Sequence, residues 1–217
     1  MTVSAKPPGP VATPLTERQE ARRRRILDAG AQLAGRGGFD AVQMREVAET
    51  SSVALGTLYR YFPSKIHLLV AVMRDQLDHL HTTLRKRPPA GAGPAERVTE
   101  TLMRAFRALQ REPQLADAMV RALTFADRSV NAEVDGVSRQ TTAIILDAMA
   151  VDDPSAAQRS AVRVVEHTWH AALIAWLSGR ASIAQVRTDI ETACRLLGPP
   201  PSVPSAAGGA DRTGRAR

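Results

Sequence analysis

Cys194 is the only cysteine in the chain, which excludes a disulfide framework and a zinc site built from thiolates. Aromatic residues make up only 4% of the sequence. Long apolar runs are also missing. The longest, residues 171–177, is about a third of what a bilayer-spanning helix needs. No apolar export core lies near the N-terminus. The four arginines at 22–25 are followed by Asp28, Gln32 and Arg36, so neither a secretory nor a twin-arginine signal is expected. There is no GxSxG elbow, phosphate-binding loop or HExxH pair. These absences leave the expectation of a soluble cytoplasmic protein with no enzyme activity, no cofactor and no membrane partner.

What is present is enough for a folded core. Hydrophobic residues are 44% and charged residues 24% of 217, ordinary globular values. The net charge of +7 is spread unevenly, with +3 in residues 1–62, +2 in 63–198 and +2 in 199–217. Of the 29 basic residues only three are lysine. Arginine forks suit phosphates and base edges. A GC-rich codon bias also favours arginine, so composition alone does no more than hint at nucleic acid.

Residues 1–15 and 199–217 are rich in proline and small residues without periodicity and read as disordered tails. Between them the apolar pattern is helical throughout, with no period-2 run of strand length and no internal repeat. A capping box, Thr16 with Gln19, opens the first helix, and Gly35, Gly37 and Gly38 stop it. Two short helices follow, at about 44–50 and 54–61. Pro63 and Ser64 open a long helix to about 87, ended by residues 88–94 (PPAGAGP). Further helices are predicted over about 95–111, 113–126, 131–150, 154–179 and 182–197. Asp153 is the predicted cap of the helix that starts at Pro154. The fold class is all-α. The pattern divides the chain into a three-helix unit over residues 16–62 and a helical body over 63–198.

Three short helices with a tight second turn are the pattern of a helix-turn-helix unit. Ala48 is the small residue where two helices cross, Val47 and Val53 flank the turn, and Leu58 and Phe62, four apart, face the core. Gly56 would let the third helix lie close to another backbone. The run Gly56-Thr57-Leu58-Tyr59-Arg60-Tyr61-Phe62-Pro63-Ser64-Lys65, with Gly38-Phe39, Met44-Arg45-Glu46-Val47-Ala48 and Leu68-Leu69 around it, resembles the DNA-binding signature of TetR-type transcriptional regulators. Over roughly residues 17–197 the chain is also similar to the KstR-type branch of that family, the repressors of sterol catabolism in actinobacteria. Gln43-Met44-Arg45, His67-Leu68-Leu69, Phe125-Ala126-Asp127, Ala175-Trp176-Leu177 and Arg180-Ala181-Ser182 carry that likeness, which is looser after residue 70. Two departures stand out. Ser51-Ser52 occupies the turn where the family usually has Ala-Gly, and Ala54-Leu55 stands where it often has Ser-Lys.

The resemblance implies that residues 16–62 are a helix-turn-helix DNA-binding domain and 63–198 a ligand-binding and dimerisation domain, and it implies roles. Ala54 to Tyr61 would lie in the major groove, with Ala54, Leu55, Gly56 and Thr57 nearest the bases. Tyr61 and Lys65 would meet phosphates. Gln43 and Arg45 open the second helix, whose free amides suit a phosphate, and Arg45 could instead reach a base. Tyr59 is either packing or a contact, and Arg60 either a contact or a solvated side chain. The arginines at 22–25 cover a full turn, so at most one or two can face DNA.

In the second half, Val162, Val165, Trp169, Leu173, Trp176 and Leu177 share a seam on the eighth helix, as do Ile183, Val186, Ile190, Ala193 and Leu197 on the ninth. Such seams serve either burial within one subunit or a four-helix dimer interface. The resemblance favours the dimer, with Val165, Leu173, Trp176, Ile183, Val186, Ile190 and Leu197 in it. Met103, Phe106, Met119, Leu123, Phe125, Ile145, Met149 and Trp169 are either core or the lining of an apolar ligand pocket. Arg104, Arg107, Arg121 and Arg128 are available for its mouth. Glu166, His167 and His170 have metal-ligand spacing but no supporting thiol or second carboxylate, so no metal is expected. The expected protein is a dimeric repressor of a palindromic double-stranded DNA operator. A large apolar effector, a steroid or its coenzyme A thioester, would release it. The alternatives are a drug-efflux regulator with a cationic or aromatic inducer and, more remotely, a helical enzyme or metal protein.

Overall fold

The computed structural model describes residues 16–198, so the two predicted tails lie outside the described residues. Nine α-helices occupy that span: α1 Glu17–Ala41, α2 Met44–Thr50, α3 Leu55–Tyr61, α4 Lys65–Lys86, α5 Pro94–Arg111, α6 Pro113–Thr124, α7 Asn131–Met149, α8 Ala156–Leu177 and α9 Ile183–Cys194. Short 3-10 turns lie at Arg128–Val130 and Arg195–Leu197, and there is no strand among the described residues.

Local chemistry explains most boundaries. Thr16 and Gln19 form the reciprocal capping box of α1. The helix breaks at Gly37-Gly38, where Gly38 has φ 69°. A Cβ on Gly38 would stand only 3.0 Å from the Gln114 side chain of α6, so both the backbone conformation and the close packing require glycine. Ser64 caps α4 and Ser182 caps α9. The predicted start of α8 is corrected. Ser155, not Asp153, is the cap, because Ser155 and Gln158 satisfy two orphan amides reciprocally, while Pro154 is buried ahead of the helix.

The helices enclose two apolar cores. One gathers Leu27, Leu33 and Ala34 of α1, Val47, Leu58 and Phe62 of the helix-turn-helix, Leu68–Val72 of α4 and Leu115, Ala118, Met119 and Ala122 of α6. The other gathers Phe106 of α5, Ile145 and Met149 of α7, Val165 and Leu173 of α8, and Val186, Ile190 and Leu197 of the C-terminal segment. They meet along α6, where Met119 belongs to the first and Val120 to the second. The apolar packing therefore does not stop at the 62/63 boundary expected from the sequence. The three-helix unit shares its core with α4 and α6.

Candidate nucleic-acid interface and effector chamber

The helix-turn-helix presents a polar outer surface over a closed inner one. Leu58 is fully buried, Phe62 nearly so, and Val47 and Ala48 close the crossing of α2 and α3. Gln43, Arg45, Ala54, Gly56, Tyr59 and Arg60 are exposed together, while Leu55, Thr57, Tyr61 and Lys65 are half-buried. Gly56 has no atom within 4 Å of where a Cβ would sit. Nothing among the described residues requires a glycine there.

Three of these residues are already engaged. The Tyr61 hydroxyl donates to the Gln19 carbonyl of α1 at 3.3 Å. A phosphate can only accept, so Tyr61 would have to exchange that bond to hold one. Lys65 donates to the Phe39 carbonyl at 3.0 Å and lies 4.1 Å from the Phe39 ring centroid, which leaves two of its three protons. The Gln43 amide donates to the Asp40 carbonyl. Within the arginine run, Arg23 pairs with Glu20 at 3.8 Å and lies over the Phe62 ring.

The turn between α2 and α3 shows why two serines stand there. The Ser51 side chain is buried, and its hydroxyl donates to the Val47 carbonyl at 2.6 Å. Ser52 adopts φ 55°, the left-handed conformation that glycine adopts without strain.

A second candidate site lies where the two cores meet. A cavity of about 160 Å³ is lined by Met73, Leu77 and Leu80 of α4, Leu102, Ala105 and Leu109 of α5, Leu115 and Met119 of α6, Ile144 and Ile145 of α7, and Trp169 and Leu173 of α8. Its polar lining is Gln76, Thr101, Glu112 and Thr141. Thr101 is fully buried, and its hydroxyl has no hydrogen-bond partner among the described residues. Burying a hydroxyl in that state costs roughly 1–3 kcal/mol. Gln76, Leu80 and Ala108 also line an open groove carrying Arg87, Arg104 and Arg111. Arg104 is paired with Glu100, whereas Arg87 and Arg111 pair with no carboxylate among the described residues. The apolar cavity thus adjoins a basic groove between α4 and α5.

Of the residues assigned to a pocket from the sequence, Met119, Ile145 and Trp169 line this cavity. Met103, Phe106, Leu123 and Met149 pack in the two cores and do not line it. Phe125 is 53% exposed and stands edge-on to Phe39, 5.7 Å away, at the end of α6. Period alone cannot distinguish an apolar residue facing a gap from one facing a packed neighbour. Arg87 and Arg111 were missed as mouth residues. Arg111 was findable, since it follows Arg104 by seven residues on one helix face. Arg107 faces a separate groove between α5 and α9. Arg121 is held by Asp40 at 3.0 Å and stacks on Phe39, and Arg128 stands exposed on a 3-10 turn.

The seven residues assigned to a dimer interface divide by burial within one chain. Val165, Leu173, Val186, Ile190 and Leu197 are buried inside one protomer, where α8, α9 and α5 pack together. Trp176 is half-buried against Phe106, with ring centroids 5.0 Å apart. Only Ile183 of the seven is exposed. The outward faces of this region instead carry Val164, Ala171, Ile183 and Leu196.

Other chemistry is inert here. Burial raises the Cys194 thiol above its ordinary pKa, which disfavours the nucleophilic thiolate. Burial, with His167 beside it, holds the His170 imidazole below its ordinary pKa. Glu166 accepts a hydrogen bond from the Thr142 hydroxyl. No group of three or more potential metal ligands converges among the described residues, and no described helix is long and apolar enough to cross a membrane.

Comparison with known proteins gives this arrangement a family. Residues 26–72 match the model of bacterial regulatory proteins of the tetR family, and residues 91–197 match that of the tetracyclin repressor-like C-terminal domain. The transcriptional repressor KstR of Rhodococcus jostii is 44% identical over 82% of this chain and 84% of its own. KstR of Mycobacterium tuberculosis is 43% identical over 84% and 83%. A crystal structure of a TetR transcriptional regulator from Rhodococcus sp. RHA1 aligns with TM-score 0.78 at 39% identity, covering 83% of this chain and 97% of that one. The exposed helix-turn-helix, the long α4 and the helical body behind it are those of a regulator rather than an enzyme, and the chain belongs to the TetR family of transcriptional regulators.

Proposed function

We propose that the chain is a dimeric, ligand-responsive repressor that binds a palindromic operator and is released by a large apolar effector, a steroid or its coenzyme A thioester. The observation that carries this reading is the position of the cavity at the seam of the two cores, with α4 as one wall and the arginine groove at its edge. Apolar walls reward an apolar body at roughly 25 cal/mol per Å² buried. Arginines suit the phosphates of a coenzyme A handle. At about 160 Å³ the cavity is smaller than the roughly 300–1,000 Å³ of drug-sized sites, so such an effector has to part α4 from α5 and α7 to enter. The N-terminal half of α4 lies in the core of the helix-turn-helix, and displacing the helix re-aims α3. The recognition helices of a dimer then lose the half-site spacing of the operator. By linkage, DNA weakens effector binding by the same factor.

Among the described residues, exposed Glu112 is the only carboxylate on the cavity, which offers little to the cationic inducer of an efflux regulator. The test is fluorescence anisotropy on a labelled operator, titrated with a steroid coenzyme A thioester, the free sterol, long-chain acyl coenzyme A and cationic dyes. Release by the thioester at lower concentration than by the free sterol is expected. Release by the dyes alone would replace this reading with the efflux one.

A further inference from the structure

Thr101 is the one buried threonine among the described residues, and its hydroxyl has no hydrogen-bond partner there. Thr83, Thr124, Thr141, Thr168 and Thr188 each donate their hydroxyl to the carbonyl four residues earlier, and Thr142 donates to Glu166. That local bond satisfies a threonine within its own helix, and the remaining helical threonines are exposed or half-buried, where water reaches the hydroxyl. Thr101 makes no such bond to Arg97, although it is the most buried of them. It lines the seam cavity next to Leu102 and Ala105, and with Ile144 it also lines a cleft between α4 and α7. Among the residues lining the cavity, its hydroxyl is the one buried side-chain oxygen without a hydrogen-bond partner, and its α5 neighbours on the wall, Leu102 and Ala105, are aliphatic.

Along α5 and its cap the cavity is lined by Thr101, Leu102, Ala105, Ala108, Leu109 and Glu112. At 1.5 Å per residue, Thr101 and Glu112 are roughly 16 Å apart along the axis. Thr101 stands at the opposite end of that stripe from Glu112. We infer that Thr101 is a specificity-determining anchor. Its hydroxyl donates to a single carbonyl or hydroxyl oxygen carried on the buried end of an otherwise apolar effector. It selects oxygen-bearing ring systems over plain hydrocarbon ends of the same size. The inference rests on the reading of the seam cavity as the effector site.

The experiment uses the full chain and a matched pair of probes, cholest-4-en-3-one and 5α-cholestane, delivered from cyclodextrin. Binding is followed by the fluorescence of Trp169, which lines the cavity. Wild-type protein is expected to prefer the ketone by about tenfold, the contribution of one hydrogen bond in a dry site. Thr101→Val keeps the side-chain shape and removes the hydroxyl. It should erase the preference by weakening the ketone alone, leaving the hydrocarbon unchanged. Thermal unfolding of the ligand-free variant is a second readout. An orphan hydroxyl predicts a midpoint equal to or above wild type, and Thr101→Ser should restore the ketone preference. Equal affinity of Thr101→Val and wild type for the ketone would overturn the anchor while leaving the effector site standing. A midpoint several degrees lower in Thr101→Val would also overturn it, by showing that the hydroxyl serves the fold. Failure of both probes to bind wild type would overturn the effector-site reading and the anchor with it.

Discussion

Ser52 illustrates how much a single dihedral can hold. Its φ of 55° costs an L-residue roughly 1–2 kcal/mol, part of which glycine would give back as freedom in the unfolded chain. Ser52→Gly should therefore raise the unfolding free energy by about 0.5–1 kcal/mol, measured by urea denaturation. Ser52→Val should lower it, because a β-branched side chain is strained there. An unchanged midpoint in both would show that the turn relaxes freely. Ser51 is different. Its hydroxyl caps the Val47 carbonyl from inside the turn, so Ser51→Ala removes a buried partner. The sequence showed that two serines replace the usual pair but not which one carries the positive φ, since that depends on how α3 leaves the turn. Thr101 was equally hidden. A threonine at that position reads as one more helical residue until the hydroxyl is seen without a partner.

At the scale of the element, α3 separates what stabilises the fold from what meets DNA. Gly56→Ala places a methyl group in open space, so helix propensity should hold stability level or raise it by up to about 1 kcal/mol. Operator affinity should nevertheless fall at least tenfold, because the methyl would stand where the DNA backbone approaches. Wild-type affinity in Gly56→Ala would move the close approach to another residue. Lys65→Ala, at the start of α4, should weaken every DNA sequence alike and reduce the salt dependence by about one phosphate contact. Thr57→Ala should instead change which base is preferred. The helices themselves were legible, since apolar spacing and Gly-Pro punctuation gave all nine near their observed limits. What each helix faces was not. The seams of α8 and α9 show that one face is covered, and Leu173 and Ile190 would follow the same period against a partner subunit or against α5. Only the three-dimensional packing decides between those covers, and it places both residues within the protomer.

At the scale of the whole molecule, assembly and folding can be tested apart. The outward faces of the α8–α9 region leave Val164 46% and Ile183 52% exposed, which is where a second copy can pack without rearranging the core. The double substitution Val164→Glu with Ile183→Glu should give a monomer with unchanged helical circular dichroism and no operator binding. Leu173→Glu, at a position only 2% exposed, should fail to fold instead, since an unpaired carboxylate would be forced into the core. Light scattering that still showed a dimer for the double variant would place the interface elsewhere.

The shared core of α1, α3, α4 and α6 has a consequence for protein engineering. Regulators with new operator preferences are commonly imagined as chimeras in which one reading head is exchanged for another. A cut after Phe62 in this chain would strip Leu27, Leu33 and Leu58 from the α4 and α6 residues that cover them. It would also separate Phe39 from Lys65 and Arg121, the two cations stacked on its ring. A graft that keeps its effector response has to carry the α6 face and the first half of α4 with the head. The transferable unit is thus discontinuous in sequence, and the inherited surface of α6 sets which heads a given body accepts.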